Sequence, residues 1–105
     1  MCNFRGNVAI KYGINAAIIA EYLWDKVNSN NYNVNKFIRD NRVWYRCSAV
    51  TITGIFPFLS RHQVEDAILI LREQGILKKE CFNENKFDHT SWYSFTEKGI
   101  YIFNN

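Results

Sequence analysis

The side chains of this 105-residue sequence that could bind metals or act as nucleophiles form no recognisable chemical motif. The two histidines, His62 and His89, belong to no metal-ligand pattern. The three cysteines, Cys2, Cys47 and Cys81, are odd in number and widely spaced, which fits neither a disulfide framework nor paired zinc ligands. We therefore expect no metal site, no cofactor and a reducing, cytoplasmic setting.

Sequence signatures of catalysis are missing as well. The sequence contains no glycine-rich phosphate loop, no Gly-x-Ser-x-Gly elbow and no His-Glu-x-x-His pattern. Each of these motifs brings a nucleophile, a base or an anion-binding group to a defined place. We interpret the chain as a non-enzyme whose surfaces, rather than a catalytic centre, carry its function.

Charge is the next property of the sequence that can carry function. The net charge of +3 is too small to indicate a nucleic-acid binder by itself, but residues 1–59 sum to +4 and residues 60–105 to −1. The densest basic stretch comprises Lys36, Arg39, Arg42 and Arg46. This stretch is a second candidate surface, with a solvated edge as the alternative interpretation.

The first predicted element is a helix over residues 14–27. Ile14, Ala17 and Ile18 lie at helical spacing, which gives the segment one apolar stripe. The asparagine-rich residues 28–33 that follow favour turns, because short amide side chains bond their own backbone. We therefore expect a loop after this helix.

A short strand and a second helix are predicted next. Residues 43–46 are β-branched and aromatic, which favours a strand. Ser48 is a good N-cap for a helix running to about Phe56, before Pro57 ends the segment. The β-branched run 50–53 lowers helix propensity, so a strand is the competing interpretation there.

The third predicted helix spans residues 61–74. Ser60 is a good N-cap, and apolar residues recur at helical spacing from Val64 onward. Gly75 supplies the stop, because the residue after a helix commonly adopts a left-handed conformation that glycine tolerates.

The remaining chain predicts a β-hairpin and an apolar tail. Residues 76–82 and 91–95 have strand composition and are separated by a polar tip. The apolar tail Ile100–Phe103 is too hydrophobic to extend into water. We expect it to pack on the first helix or to form a homodimer interface with a second subunit.

Helix, strand, short helix, capped helix and hairpin in this order predict an α+β fold. The order is that of a winged helix-turn-helix domain, with about three helices and a C-terminal β-hairpin as the wing. Length and composition predict a single domain over residues 1–105, with its core at about 13–95 and a tail at 96–105. The tryptophans and other aromatic residues are expected to fill that core, and no secretion signal or membrane span is expected.

The sequence also resembles the winged-helix domain of phage and mobile-element replication proteins. The resemblance rests on Val43-Trp44-Tyr45-Arg46, Phe56-Pro57-Phe58-Leu59-Ser60 and Asp88-His89-Thr90-Ser91-Trp92-Tyr93. It covers roughly residues 13 to 95. It implies a DNA-binding protein of replication or transcription that places the 61–74 helix in the major groove and the wing, residues 78–93, against phosphates.

The resemblance also implies particular contact residues. The implied readers of double-stranded DNA at the start of the helix are Ser60, Arg61, His62 and Gln63, and the implied wing contacts are Lys78, Lys79, Lys86 and His89. Arginine and glutamine can contact base edges through two hydrogen bonds. Lysines that neutralise phosphates release counterions, so binding is expected to be salt-dependent.

A protein partner is the alternative. The 61–74 helix also carries Glu65, Asp66 and Glu73, which repel phosphate. An acidic helix suits a protein-interaction module that keeps the fold without binding DNA, such as a phage inhibitor of a host defence complex.

Overall fold

The computed structural model describes residues 5–28, 36–39, 42–80 and 91–104, with the backbone alone at residues 37 and 39. These residues form an α+β fold, as the sequence predicts, but with more elements than expected. The elements are α1 (Gly6–Tyr12), α2 (Ile14–Asn28), β1 (Lys36–Arg39), β2 (Arg42–Cys47), α3 (Ala49–Ile55), α4 (Arg61–Glu73), β3 (Leu77–Glu80), β4 (Ser91–Phe95) and α5 (Glu97–Asn104).

The four strands form one antiparallel sheet in the order β1-β2-β4-β3. The predicted hairpin is confirmed as the pair β3 and β4, in which Lys79 lies opposite Tyr93. Tyr93 also lies opposite Tyr45 of β2, so β4 is the central strand of the three. The predicted hairpin tip, with Lys86 and His89, lies outside the described residues.

The short helix α3 forms in spite of its β-branched residues, so the competing strand interpretation is wrong. Ser48 caps it, with its side chain accepting a hydrogen bond from the backbone N–H of Thr51 at 3.1 Å. The hydroxyl of Thr53 donates to the carbonyl of Val50 at 2.7 Å, which satisfies a polar group that otherwise competes with the helix. Local capping and the burial of Ile52 outweigh the low propensity.

Both predicted ends of α4 are confirmed within one residue. Ser60 and Gln63 form a capping box at its start. Its end is a Schellman motif, in which the N–H of Gly75 donates to the carbonyl of Arg72 at 3.1 Å and the N–H of Ile76 to that of Leu71 at 2.9 Å. Gly75 has a φ of 75°, the left-handed conformation expected of glycine there.

Three elements were not predicted, and two of them, α1 and α5, extend the core beyond residues 13–95. In α1, Val8 and Tyr12 are buried against α2 on one side of the helix. In α5, Phe103 is only 2% exposed and its ring lies 5.4 Å from that of Phe95, between centroids. The third element, β1, extends the sheet beside β2.

The C-terminal segment is therefore a helix that packs on its own chain. This is the first of the two expectations, packing on the helix predicted over residues 14–27. Phe103 contacts Trp24 of α2 at a centroid distance of 5.7 Å. Ile100 and Tyr101 stay exposed at 41% and 73%. A homodimer through this segment would have to use these two residues rather than Phe103.

The tryptophans occupy packing positions, as expected for aromatic residues. Trp44 and Trp92 are buried in the sheet, and Trp24 packs edge-on against Phe95 with centroids 5.1 Å apart.

Among the described residues, none of the helices has the length and apolar character needed to cross a bilayer.

Gly99 provides a test of the α5 packing. A Cβ at this position would run into the backbone carbonyl oxygen of Ile76 and would crowd the Phe95 ring. We expect Gly99→Ala to lower the free energy of unfolding by about 1–3 kcal/mol in urea denaturation. Gly54→Ala in α3 is the matched control, since open space surrounds Gly54 and alanine favours a helix. A Gly99→Ala protein as stable as the parent would contradict this packing.

Candidate nucleic-acid interface

The turn between α3 and α4 sets the direction of the first turn of α4. The backbone N–H of Leu59 donates to the carbonyl of Phe56 at 2.9 Å, and Leu59 is buried. The Phe56 ring packs at a right angle on Tyr22 of α2, with centroids 5.7 Å apart. The turn is thus anchored to α2, and residues 60–63 lie exposed at the surface.

Two of the four predicted readers in α4 have structural roles. The side-chain oxygen of Gln63 accepts a hydrogen bond from the backbone N–H of Ser60 at 2.8 Å. The hydroxyl of Ser60 accepts one from the N–H of Gln63 at 3.1 Å. Gln63 therefore cannot offer its amide oxygen to a base edge without opening the capping box.

Arg61 and His62 are the two residues of the predicted DNA-contacting set that take no part in the capping box. Their side chains are 70% and 83% exposed. Arg61 Nε lies 2.9 Å from Glu65 Oε1, and His62 Nε2 lies 3.2 Å from Asp66 Oδ2. Exposed ion pairs such as Arg61–Glu65 contribute only about 0–1 kcal/mol, so a ligand can displace this pair at little cost.

Of the three lysines of the predicted wing, the two that the structure describes, Lys78 and Lys79, point to opposite faces of the sheet. Side chains alternate along a strand, and Lys79 lies opposite Tyr93 while Lys78 lies opposite Ser94. Lys79 and Tyr93 line a groove together with α4. Of the two lysines, only Lys79 lies beside the exposed face of α4.

The second candidate surface does not present its basic residues together. Lys36 is 4% exposed, and burial lowers the pKa of its ammonium group. Arg42 donates from Nη1 to the carbonyl oxygen of Phe95 at 2.9 Å, which joins β2 to the end of β4. Arg46 is half-buried on β2, and of Arg39 the backbone alone is described. None of the three side chains that the structure describes here is fully exposed, and a functional basic surface at these residues stays a prediction.

A groove of about 550 Å³ separates α4 and the start of α3 from the sheet. Its lining is Cys47, Ser48, Ala49, Val50, Arg61, Glu65, Ile68, Leu69, Arg72, Lys79, Ser91 and Tyr93. Three of these residues are cations and one is a carboxylate, so the groove is locally basic although residues 60–105 carry a net negative charge.

Sequence reasoning missed Arg72 and Tyr93 as members of this groove. Arg61 and Arg72 are eleven residues apart, close to three full helical turns, so they share one face of α4. That spacing was readable from the sequence. The position of Tyr93 depends on the pairing register of β3 and β4, which no local pattern gives.

Burial shapes the chemistry of the groove floor. It raises the pKa of the Cys47 thiol to about 12. It also raises the pKa of Tyr93 to about 12, against the opposing influence of the positively charged Arg72. Both groups are neutral near pH 7, so the floor adds no negative charge to the groove.

The acidic residues of α4 are exposed, as their positions in the sequence predict. Glu65 and Asp66 are paired with Arg61 and His62. Glu73 lies at the other end of the helix, in its last turn. Repulsion of phosphate by Glu65 is therefore offset by the neighbouring cation Arg61.

No group of three His, Cys, Asp or Glu side chains converges on a possible metal position within the described part of the chain. No protein-family model, curated protein or solved structure matches the sequence.

Cys47 tests whether the groove floor is closed to solvent. Its raised pKa leaves almost no thiolate at pH 7.5, and the residue is buried. In a Cys2→Ser/Cys81→Ser variant, we expect iodoacetamide to alkylate native Cys47 at least about 100-fold more slowly than the urea-unfolded chain. Mass spectrometry over time measures both rates. Equal rates would show that the floor is open.

Proposed function

We propose that this chain is a winged-helix protein that binds duplex DNA, of the kind found in phage and mobile-element replication proteins, and that it acts in replication or transcription. The observation that carries the proposal is the element order α2-β2-α3-α4-β3-β4 combined with the strand order β2-β4-β3. This order places a capped helix and an adjacent hairpin side by side, as winged-helix DNA binders do.

The exposed first turn of α4 supports the same function. Arg61 and His62 extend into solvent, and their partners among the described residues are Glu65 and Asp66 of the same helix. A base edge or phosphate can replace Glu65 as the partner of Arg61, because an exposed pair is weak. In this proposal α4 enters the major groove and Lys79 contacts a phosphate.

A protein partner is the second candidate function, and one observation favours it. Val50 of α3 and Leu69 of α4 are exposed large apolar residues that line the same groove. Exposed apolar residues that lie near one another are typical of protein-binding surfaces. The test replaces Val50 with a photo-reactive residue and looks for cross-linked proteins in cells. A cross-link to a single protein that is lost when Leu69→Asp is added would support this function over DNA binding.

Charge reversal tests the DNA-binding proposal. We expect Arg61→Glu and Lys79→Glu each to weaken binding to a fluorescent random-sequence duplex by about tenfold or more, because each removes a cation from the DNA-facing side. Fluorescence anisotropy at low and moderate salt measures the affinity. Binding by the parent protein should fall steeply as the salt concentration rises.

Lys78→Glu is the matched control for this experiment. It changes the net charge as Lys79→Glu does and lies on the same strand, but on the opposite face of the sheet. We expect its affinity to fall by less than about threefold. Circular dichroism should show that all three variants keep their fold. A parent protein that fails to bind duplex DNA at low salt would exclude this function.

A further inference from the structure

The groove between α4 and β3-β4 contains two cations that have no ionic partner among the described residues. Glu65 is the one carboxylate that lines it, and Glu65 is paired with Arg61. Within the described residues, Arg72 and Lys79 form neither a salt bridge nor a side-chain hydrogen bond. Two unpaired cations that face one cleft attract an anion, because their mutual repulsion falls when one binds.

These cations converge on Tyr93. Lys79 is the direct cross-strand neighbour of Tyr93, and the charge of Arg72 acts on the Tyr93 hydroxyl. Ser91 lies two residues before Tyr93 and therefore on the same face of β4. The sheet side of the groove thus offers the Lys79 ammonium and the hydroxyls of Ser91 and Tyr93, and the α4 side offers the Arg72 guanidinium. These groups are donors that bind phosphate oxygens.

We propose that this recess binds one backbone phosphate of duplex DNA, held by Arg72 and Lys79 with the hydroxyl of Tyr93. The proposal rests on the proposed function and extends it, because it assigns a contact to the last turn of α4 and to the body of the hairpin. The backbone then runs along the groove, with Val50 and Leu69 at its edge. Arginine suits this position because its planar guanidinium can give a phosphate two parallel hydrogen bonds.

Arg72 has a second effect, on the stability of α4, which the test must separate from its effect on phosphate binding. A cation in the last turn of a helix interacts favourably with the helix dipole, so Arg72 also stabilises α4. That effect involves neither Lys79 nor Tyr93. A change in DNA affinity that couples Arg72 to Lys79 is therefore specific to phosphate binding, whereas a change in melting temperature alone is not.

The experiment measures duplex affinity against salt concentration for Arg72→Gln, Lys79→Gln, the double variant and Tyr93→Phe. We expect Arg72→Gln to weaken binding about three- to tenfold near 100 mM salt and to reduce the slope of log affinity against log salt by about 1. The double variant should lose less than the product of the two single losses, because both cations act on one phosphate. Tyr93→Phe should weaken binding about two- to fivefold with the slope unchanged.

Lys78→Gln is the matched control, because it removes the same charge from the opposite face of the sheet. We expect it to keep the affinity and salt slope of the parent, and thermal melting checks that every variant is folded. Parent-like binding by Arg72→Gln, or strictly multiplicative losses in the double variant, would overturn the phosphate assignment while leaving DNA binding intact. A parent protein that binds pyrophosphate in ³¹P NMR but no duplex would overturn DNA as the source of the phosphate.

Discussion

The turn at Gly75 and Ile76 is the constraint on which the rest of the structure depends. It ends α4 and starts β3, and it is bonded to a segment twenty residues further along the chain. The backbone N–H of Thr96 donates to the carbonyl of Ile76 at 3.0 Å, and the Thr96 hydroxyl donates to the carbonyl of Gly75. The same hydroxyl oxygen accepts a hydrogen bond from the N–H of Gly99 at 3.0 Å, and this bond caps α5. Lys98 Nζ of α5 donates to the carbonyl of Gln74 at 2.8 Å. One junction therefore joins α4, both hairpin strands and α5.

This junction also determines the geometry of the groove. Arg72 lies three residues before Gly75, and Lys79 lies three residues after Ile76, so the angle of the turn sets how the two cations face each other. Tyr93 lies three residues before Thr96, on the strand that the junction binds. The junction fixes the backbone at both cations, so a ligand has only their side chains to order when it binds. The α5 helix thus supports the candidate interface from a distance, without lining the groove.

The sequence predicted best the elements whose ends are set by local chemistry. The Ser60 capping box and the Gly75 stop gave α4 within one residue, and β4 was predicted at its observed bounds. The helix α1 was missed because no side chain caps its start, and α5 was missed because Gly99 and β-branched residues weaken its helical pattern. Glycine is needed at position 99 because its backbone lies close to the Ile76 carbonyl oxygen, a contact that only the tertiary structure reveals. The partnership of Arg72 with Tyr93 was likewise out of reach, because it needs the strand register.

Charge summed along the sequence gave a misleading picture of the surface, for a physical reason. The basic excess of residues 1–59 includes Lys36, which is buried, and Arg42, which is bonded to the Phe95 carbonyl, so neither belongs to a free cationic surface. Residues 60–105 carry a net negative charge, yet they form most of a groove that is lined by three cations and one carboxylate. Screening limits the reach of exposed charges to about 10 Å at 0.1 M salt, so a ligand responds to the charges around it rather than to the sum over a segment. The acidic residues of α4 therefore count against DNA binding only where they face the DNA, and Glu65 is already opposed by Arg61.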